Sequence, residues 1–320
     1  MIIKKKQQIA LIVGSGLIGA YLSNLLLKKG FKIIVSSRML KNYGNYYKKL
    51  KIYKRVKFVK LNLVNKKKIK NVISNYKPQF IYYLAGQNSV VESYKNPKGT
   101  LLSNYIGVKN YLDILKKNKY AIKFFKANSG YIFNGDKKKI TLSSKLIKAE
   151  SPYTESQIKA FKLIKKYRNQ GLKCYSIILF NIVSTLSPIS FVGKKICYLA
   201  KKIKSKKIKK ISVGNIDSIR DFGWAPEMVI PMYLIQYLNP QDVIVGTGKG
   251  MSIKKFLFHA FKYFKIDYKN FIKIDKKLIR NNERKMIVCS ISKTIKLFKK
   301  WKWKPKFAEK KFVYKMCKNL

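Results

Sequence analysis

One stretch limits the folds open to this chain more than any other. Ile9-Ala10-Leu11-Ile12-Val13 is an unbroken apolar run, and Gly14-Ser15-Gly16-Leu17-Ile18-Gly19 follows it directly. Such a run suits a strand buried on both faces of a parallel sheet. The three glycines then have separate jobs. Gly14 allows a tight turn, Gly16 lets a pyrophosphate approach the backbone, and Gly19 lets the next helix pack closely on the strand. That helix opens with Leu17 and Ile18, and its N-terminus meets the phosphates. A plain strand-to-helix turn is the blander alternative.

The rest of the first half repeats the pattern. Apolar runs predict strands at 31–35, 57–63, 80–84, 123–127 and 174–180. Helices are expected up to about Lys29 and over 66–76, 98–117 and 153–168. Strand and helix alternating in this way imply an α/β fold, a doubly wound parallel sheet covered on both faces. After Asn181 the rhythm breaks. Residues 182–225 read as loop-rich, with a Lys-dense stretch at 194–210, and a helix near 226–238 returns to the first domain. The expected organisation is a cofactor domain over 1–181 and a smaller lobe over 182–320.

Charge raises a competing function. There are 72 Lys and Arg against 13 Asp and Glu, a formal charge of +59. Nucleic acid or an anionic membrane would be attracted. However, the lysines run along the whole chain, and Lys, Asn, Ile, Tyr and Phe all have A/T-rich codons. Mutational bias is the preferred reading, and nucleic acid is not the expected partner. Cys174, Cys197, Cys289 and Cys317 are far apart and His259 is the only histidine, so neither a zinc site nor a disulfide framework is expected. No stretch approaches the ~18 apolar residues of a membrane span, and a cytoplasmic protein is the expectation.

Cofactor type is set where the second strand ends. An acidic residue there would take the ribose hydroxyls of NAD. The chain has Ser36, Ser37 and Arg38 instead, and a guanidinium beside a hydroxyl suits a 2′-phosphate, favouring NADP with NAD as the alternative.

Several segments resemble one family. Ile81-Tyr82-Tyr83-Leu84-Ala85-Gly86-Gln87 is similar to the "hydrophobic-N-L-A-A-Q" strand end of extended short-chain dehydrogenases. Ser93-Tyr94-Lys95-Asn96-Pro97 resembles the "S-F-x-x-P" of GDP-mannose 4,6-dehydratases, and Leu179-Phe180-Asn181 their "L-F-N". The run from Gly214 to Gly223 resembles "G-N-x-D-x-x-R-D-W-G" closely. Arg280 with Glu283, and Trp303-Lys304-Pro305, resemble the C-terminal "R-P-x-E" and "G-W-K-P". The resemblance implies a Rossmann-type domain holding NADP and a smaller C-terminal lobe holding a GDP-sugar. It implies cofactor contacts from Asn62, Leu63, Leu84, Ala85 and Gln87, and nucleotide-sugar contacts from Asn181, Lys195, Arg220, Arg280 and Glu283. It also implies a homo-oligomer. A surface pair between Arg220 and Asp221 is the alternative for that arginine.

The implied reaction is a redox cycle on the sugar. A tyrosine takes the C4 hydroxyl proton while hydride leaves C4, a glutamate removes the C5 proton, water leaves C6, and hydride returns there. Tyr153 and Ser129 match the tyrosine and its serine or threonine partner. Tyr131 stands at the glutamate position, and Gln157 stands where a lysine four residues after the tyrosine is usual. Free tyrosine has a pKa near 10, so it ionises poorly at neutral pH without a cation beside it. Lys159 lies about 240° round the helix from Tyr153, on the wrong face. Three smaller departures accompany these. The glycine loop is one residue short of GxxGxxG, Asn62 replaces an adenine-binding Asp, and Gly86 replaces an alanine. The expected function is NADP-dependent GDP-sugar modification of the 4,6-dehydratase type. The alternatives are a reductase or epimerase, a catalytically impaired binding relative, or a nucleic-acid-binding protein on a borrowed fold.

Overall fold

The computed structural model describes residues 7–39, 44–135, 138–279 and 283–320. The apolar run of the sequence becomes β1 (Ile9–Val13), whose last four residues are fully buried. It is hydrogen-bonded on one side to β2 (Lys32–Ser37) and on the other to β4 (Phe80–Tyr83), both parallel to it. β3 (Lys57–Lys60) extends the sheet beyond β2, and β5 (Lys123–Ser129) extends it beyond β4. β6 (Cys174–Leu179) and β10 (Asp242–Val245) complete seven strands in the order β10-β6-β5-β4-β1-β2-β3. This is the expected doubly wound sheet, and its order reverses at β1 and β4, where ligands of such sheets bind.

Helices follow the strands in turn. They are α1 (Leu17–Lys28), the short α2 (Asn45–Lys49), α3 (Lys66–Tyr76), α4 (Val90–Lys95), α5 (Pro97–Leu101), α6 (Gly107–Lys117) and α7 (Pro152–Asn169). Leu11, Ile81 and Phe124 on the sheet pack with Val108, Leu112 and Ile164 from α6 and α7. Each such side chain contributes roughly 1.5–3 kcal/mol by leaving water. The helix expected over 98–117 is interrupted. Residues Leu102–Ile106 form a π-helical turn between α5 and α6.

Contacts divide the chain into two units. The first holds 1–132, 146–178 and 229–243, and the second holds 133–145, 179–228 and 244–320. The second unit contains β7 (Asn181–Val183), β8 (Ile211–Val213), β9 (Ile219–Trp224), β11 (Gly250–Ser252), β12 (Ile272–Ile274) and β13 (Met286–Ile287). Its helices are α8 (Val192–Lys204), α10 (Ile253–Tyr263), α11 (Ser292–Leu297) and α12 (Glu309–Lys318), while α9 (Ala225–Leu234) runs across the boundary at 228. The rings of Phe222, Phe256 and Phe312 centre its core, with Phe222 5.1 Å from Phe256 and 6.1 Å from Phe312. Residues 182–225 are less loop-rich than expected. Gly193, Ile196, Cys197, Ala200 and Ile203 make one buried stripe at helical spacing, and the lysines between them hide that α8 is a helix.

The helix ends carry an unusual residue. Among the described residues, six of the seven non-glycine residues with positive φ are lysines: Lys51, Lys77, Lys119, Lys206, Lys265 and Lys302. Each closes a helical segment. Lys77 caps α3 in the left-handed conformation, and Lys119, Lys206 and Lys265 bond back to the last turns of α6, α8 and α10. Glycine or asparagine is the usual occupant of such positions.

Candidate active site

The glycine turn is built as its spacing requires. Gly14 has φ +110°, and a Cβ there would lie 2.7 Å from the Ala85 nitrogen. Gly19 faces the Gly14 carbonyl, which a Cβ would meet at 2.6 Å. Gly16 has open space where its Cβ would be, and it caps α1 without a side-chain hydrogen bond. The first N–H groups of α1 are thus left for an anion.

Gly14 and Gly16 border a cavity of about 320 Å³ within the first unit. Leu84, Ala85 and Gln87 line it beyond β4, and Ser37, Arg38 and Leu63 line it at the ends of β2 and β3. Leu17, Ile18 and Gly19, in the first turn of α1, are not among its lining residues. Asn62 sits between two lining residues, Leu61 and Leu63, and is itself exposed. The Gln87 carboxamide is turned back on its own loop, bonding the N–H and carbonyl of Ser89. Sequence reasoning missed Asn96, Gly99, Thr100 and Ser103, which line the far side from α5 and the π turn.

Asn104 lies in the π turn and explains Gly86. Its Nδ2 donates to the Gln87 carbonyl and to Ser156 Oγ, each at 3.0 Å. A Cβ on Gly86 would lie 2.2 Å from Asn104 Oδ1, so the glycine makes room for this amide. Ser156 in turn donates to the Tyr153 carbonyl. One asparagine therefore joins the loop after β4 to the helix that carries Tyr153. A polar residue on the inner face of an apolar helix was the available signal.

Helix α7 begins as its sequence dictates. Ser151 and Thr154 form a capping box, and Pro152 occupies the first turn. Tyr153 follows, 7% exposed. Burial pushes its phenol up to about 12, and the Ser129 hydroxyl beside it pulls the other way. The Tyr131 phenol adds to the upward shift. No cation acts on Tyr153 among these causes. Gln157 is buried one turn on, and its Oε1 has no hydrogen-bond partner. Lys159 is exposed and pairs with Glu155 at 2.5 Å, so it does not serve the site.

A buried amine went unnoticed in the sequence. Lys126 lies on β5, three residues before Ser129, and is 2% exposed. Its Nζ donates to the Ala127 carbonyl and sits 5.7 Å from the centre of the Tyr83 ring. Burial alone pushes it down to about 7. Buried groups with such shifts gather at functional sites, though drift produces them as well.

The expected nucleotide-sugar residues lie in the second unit. Arg220 does not pair with Asp221 on the surface. Its Nη2 donates to Glu283 at 2.8 Å, and its Nη1 to the Ile219 carbonyl at 2.9 Å. Asp221 is fully buried, accepting from Thr247 N at 2.9 Å, Thr247 Oγ1 at 2.6 Å and Gly248 N at 2.9 Å. The alternation of side chains along β9 sends the two residues to opposite faces, which separates them. Asn181 Nδ2 donates to the Asp221 carbonyl at 3.3 Å, and Lys195 Nζ to the Ser212 carbonyl at 2.9 Å. Arg280 lies outside the described residues. No cluster of metal-binding side chains occurs among the described residues, and no helix among them is long and apolar enough to cross a membrane.

Comparisons with known proteins agree with this frame. GDP-mannose 4,6 dehydratase 1 of Arabidopsis thaliana is 29% identical over 330 residues, covering 98% of this chain and 90% of that protein. The dTDP-glucose 4,6-dehydratase of Bacillus anthracis, solved with NAD, superposes with a TM-score of 0.82 at 16% identity, covering 97% and 96% of the two chains. RMD from Pseudomonas aeruginosa, solved with NADPH, gives 0.79 at 17% identity, covering 98% and 99%. The family model described as GDP-mannose 4,6 dehydratase matches residues 11–316, and the chain belongs to that family.

Proposed function

We propose that this chain binds NADP and a GDP-sugar and carries out 4,6-dehydration slowly. The observation that carries the reading is the glycine-bordered cavity, with Arg38 at its rim, in the same unit as Ser129 and Tyr153. The residues present fit the cofactor. Gly14 and Gly16 supply a backbone surface with no side chain in the way, and the open N-terminus of α1 suits a pyrophosphate. A bound nicotinamide would take a hydride from one sugar carbon and return it at another.

The chain's own groups do the rest. Ser37 and Arg38 take the 2′-phosphate, and this favours NADP over NAD. Tyr153 takes the proton of the sugar C4 hydroxyl, and Ser129 orients that hydroxyl. Tyr131 stands where the family glutamate would remove the C5 proton. Asn181, Lys195, Arg220 and Glu283, with Arg280, hold the nucleotide-sugar, the guanidinium groups suiting its diphosphate. Tyr153 holds its own proton up to a pH of about 12. The phenolate that starts the reaction is therefore scarce at neutral pH and grows tenfold per pH unit, so turnover should climb through the alkaline range.

One observation favours a second reading, a binding relative without turnover. The buried and unpartnered Gln157 Oε1 occupies the place of a cation. Incubation with GDP-mannose and NADP, with mass detection of a dehydrated 4-keto product, separates the two. Product supports the first reading. Ligand-induced rise in melting temperature without product from any GDP- or UDP-sugar supports the second, and neither result overturns both.

A further inference from the structure

The chain leaves the first unit directly after the turn that carries Tyr131. Gly130–Ile132 form a 3₁₀ turn, the Tyr131 N–H donates to Ser129 Oγ at 3.2 Å, and from Phe133 to Lys145 the chain belongs to the second unit. Phe133 is two residues from Tyr131, so whatever holds its backbone limits where Tyr131 can stand. Arg284 Nη1 donates to the Phe133 carbonyl at 2.8 Å. Farther along, the Ile140 N–H donates to the Val288 carbonyl and the Ser290 N–H to the Ile140 carbonyl, each at 2.8 Å. The hold at Ile140 is backbone pairing and depends on no particular side chain. The hold at Phe133 depends on one guanidinium, and Phe133 is buried, where a carbonyl needs a donor.

Arg284 is also the middle of a short strap gripped by Arg220. Glu283, before it, accepts from Arg220 Nη2 at 2.8 Å, and the carbonyl of Lys285, after it, accepts from Arg220 Nη1 at 3.4 Å. The Lys285 carbonyl also accepts from the Ile219 N–H at 2.8 Å, where β13 begins to pair with β9. The strap is therefore fixed by backbone at 285 and by a side-chain ion pair at 283. A phosphate group presents oxygens to a guanidinium much as a carboxylate does. A diphosphate at Arg220 thus competes for the partner that holds residue 283.

We infer that Arg284 is a positioning residue, which passes occupation of Arg220 and Glu283 by a nucleoside diphosphate to the turn that carries Tyr131. The inference rests on the nucleotide-sugar reading above. Arg220 turns to the phosphates, and Glu283 exchanges the guanidinium for the ribose hydroxyls. The ligand then ties residue 283 down, and Arg284 beside it holds the Phe133 carbonyl more firmly. Tyr131 and Ser129 are thereby most fixed when a nucleotide-sugar is present to react.

The test uses GDP as the probe. Backbone amide exchange over residues 130–134 is followed by mass spectrometry in the natural chain, Arg284→Met and Arg284→Lys, each with and without saturating GDP. In the natural chain GDP should slow this exchange about fivefold, at the low end of couplings between linked sites. Arg284→Met keeps an apolar stem and loses every donor, so the slowing should fall below about twofold. Arg284→Lys restores a donor and should recover most of the response. A purely structural hydrogen bond would instead speed exchange in Arg284→Met equally with and without GDP, leaving the response to GDP intact, and that result overturns the inference. So does a natural chain that binds GDP, read by calorimetry, without slowing these amides, a measurement that needs no variant to fold. If GDP does not bind the natural chain, the nucleotide-sugar reading itself falls and takes this inference with it.

Discussion

The glycine cavity and the Ser129–Tyr153 corner share one unit, yet they are built from different materials. The cavity is made of backbone and of missing side chains. Gly14, Gly16 and Gly19 act by what they lack, and the N–H groups of α1 belong to no particular residue type. The corner depends on particular atoms. Tyr153 and Ser129 are present, while Gln157 and Tyr131 stand where the resemblance implies a cation and a carboxylate. A binding site built from backbone survives heavy substitution around it. A proton-handling site does not, because one changed side chain removes its function while leaving the fold intact.

Substitutions can break or sharpen this contrast. The largest effect is expected from Gln157→Lys. If the corner is one cation short, turnover should rise by about 10²-fold or more, and the alkaline climb should shift to lower pH as the Tyr153 phenol loses its proton more readily. A flat response in initial rates across pH 6–10 would place the defect elsewhere. Gly14→Ala attacks the other side. Positive φ and a Cβ 2.7 Å from the Ala85 nitrogen should lower stability by about 3 kcal/mol and abolish NADPH binding, read by urea unfolding and fluorescence titration.

Lys126 lies between the two cases, and its pH dependence has a definite sign. Its amine sits near 7 in the fold against about 10.4 in the unfolded chain. The unfolded chain holds the extra proton between these values, so the burden on folding is full below pH 7 and fades as pH rises toward 10. Lys126→Met should therefore stabilise by about 2–4 kcal/mol at pH 6 and by little at pH 10, followed by urea denaturation at each pH. If the same variant also loses turnover, the amine serves the site. The smallest expected effect is for Lys77→Gly, a gain of about 0.5–1 kcal/mol from relieving a left-handed residue, visible as a modest rise in Tm.

Much of the cavity was legible because its signals are local. GxGxxG after an apolar strand leaves little freedom, and the parallel sheet covered on both faces followed from the alternation of strand and helix. The corner was legible because the capping sequence Ser151-Pro152 fixes where α7 starts, and so fixes Tyr153 and Gln157. Asn104 and Lys126 were not legible. Their roles come from contacts between residues far apart in sequence, Asn104 with Gly86 and Ser156, Lys126 with Tyr83. Helix α8 was hidden for another reason. Lysine at nearly every outward position blurs the boundary between helix and loop when only composition is read. The Arg220–Glu283 pair joins positions 63 apart, and only the pairing of β9 with β13 brings them together.

The lysines at helix ends have a consequence for how this protein persists in a cell. A left-handed lysine is worse than glycine by about 1 kcal/mol. Six of them together cost about 6 kcal/mol, comparable with the lower end of an ordinary domain's folding stability of about 5–15 kcal/mol. A cost of that size moves a chain toward its folding threshold. Its steady-state abundance should then follow the supply of chaperones and the activity of proteases more closely than its rate of synthesis. Proteome turnover, more than catalysis, would be the first trait to reveal what these helix ends have accumulated.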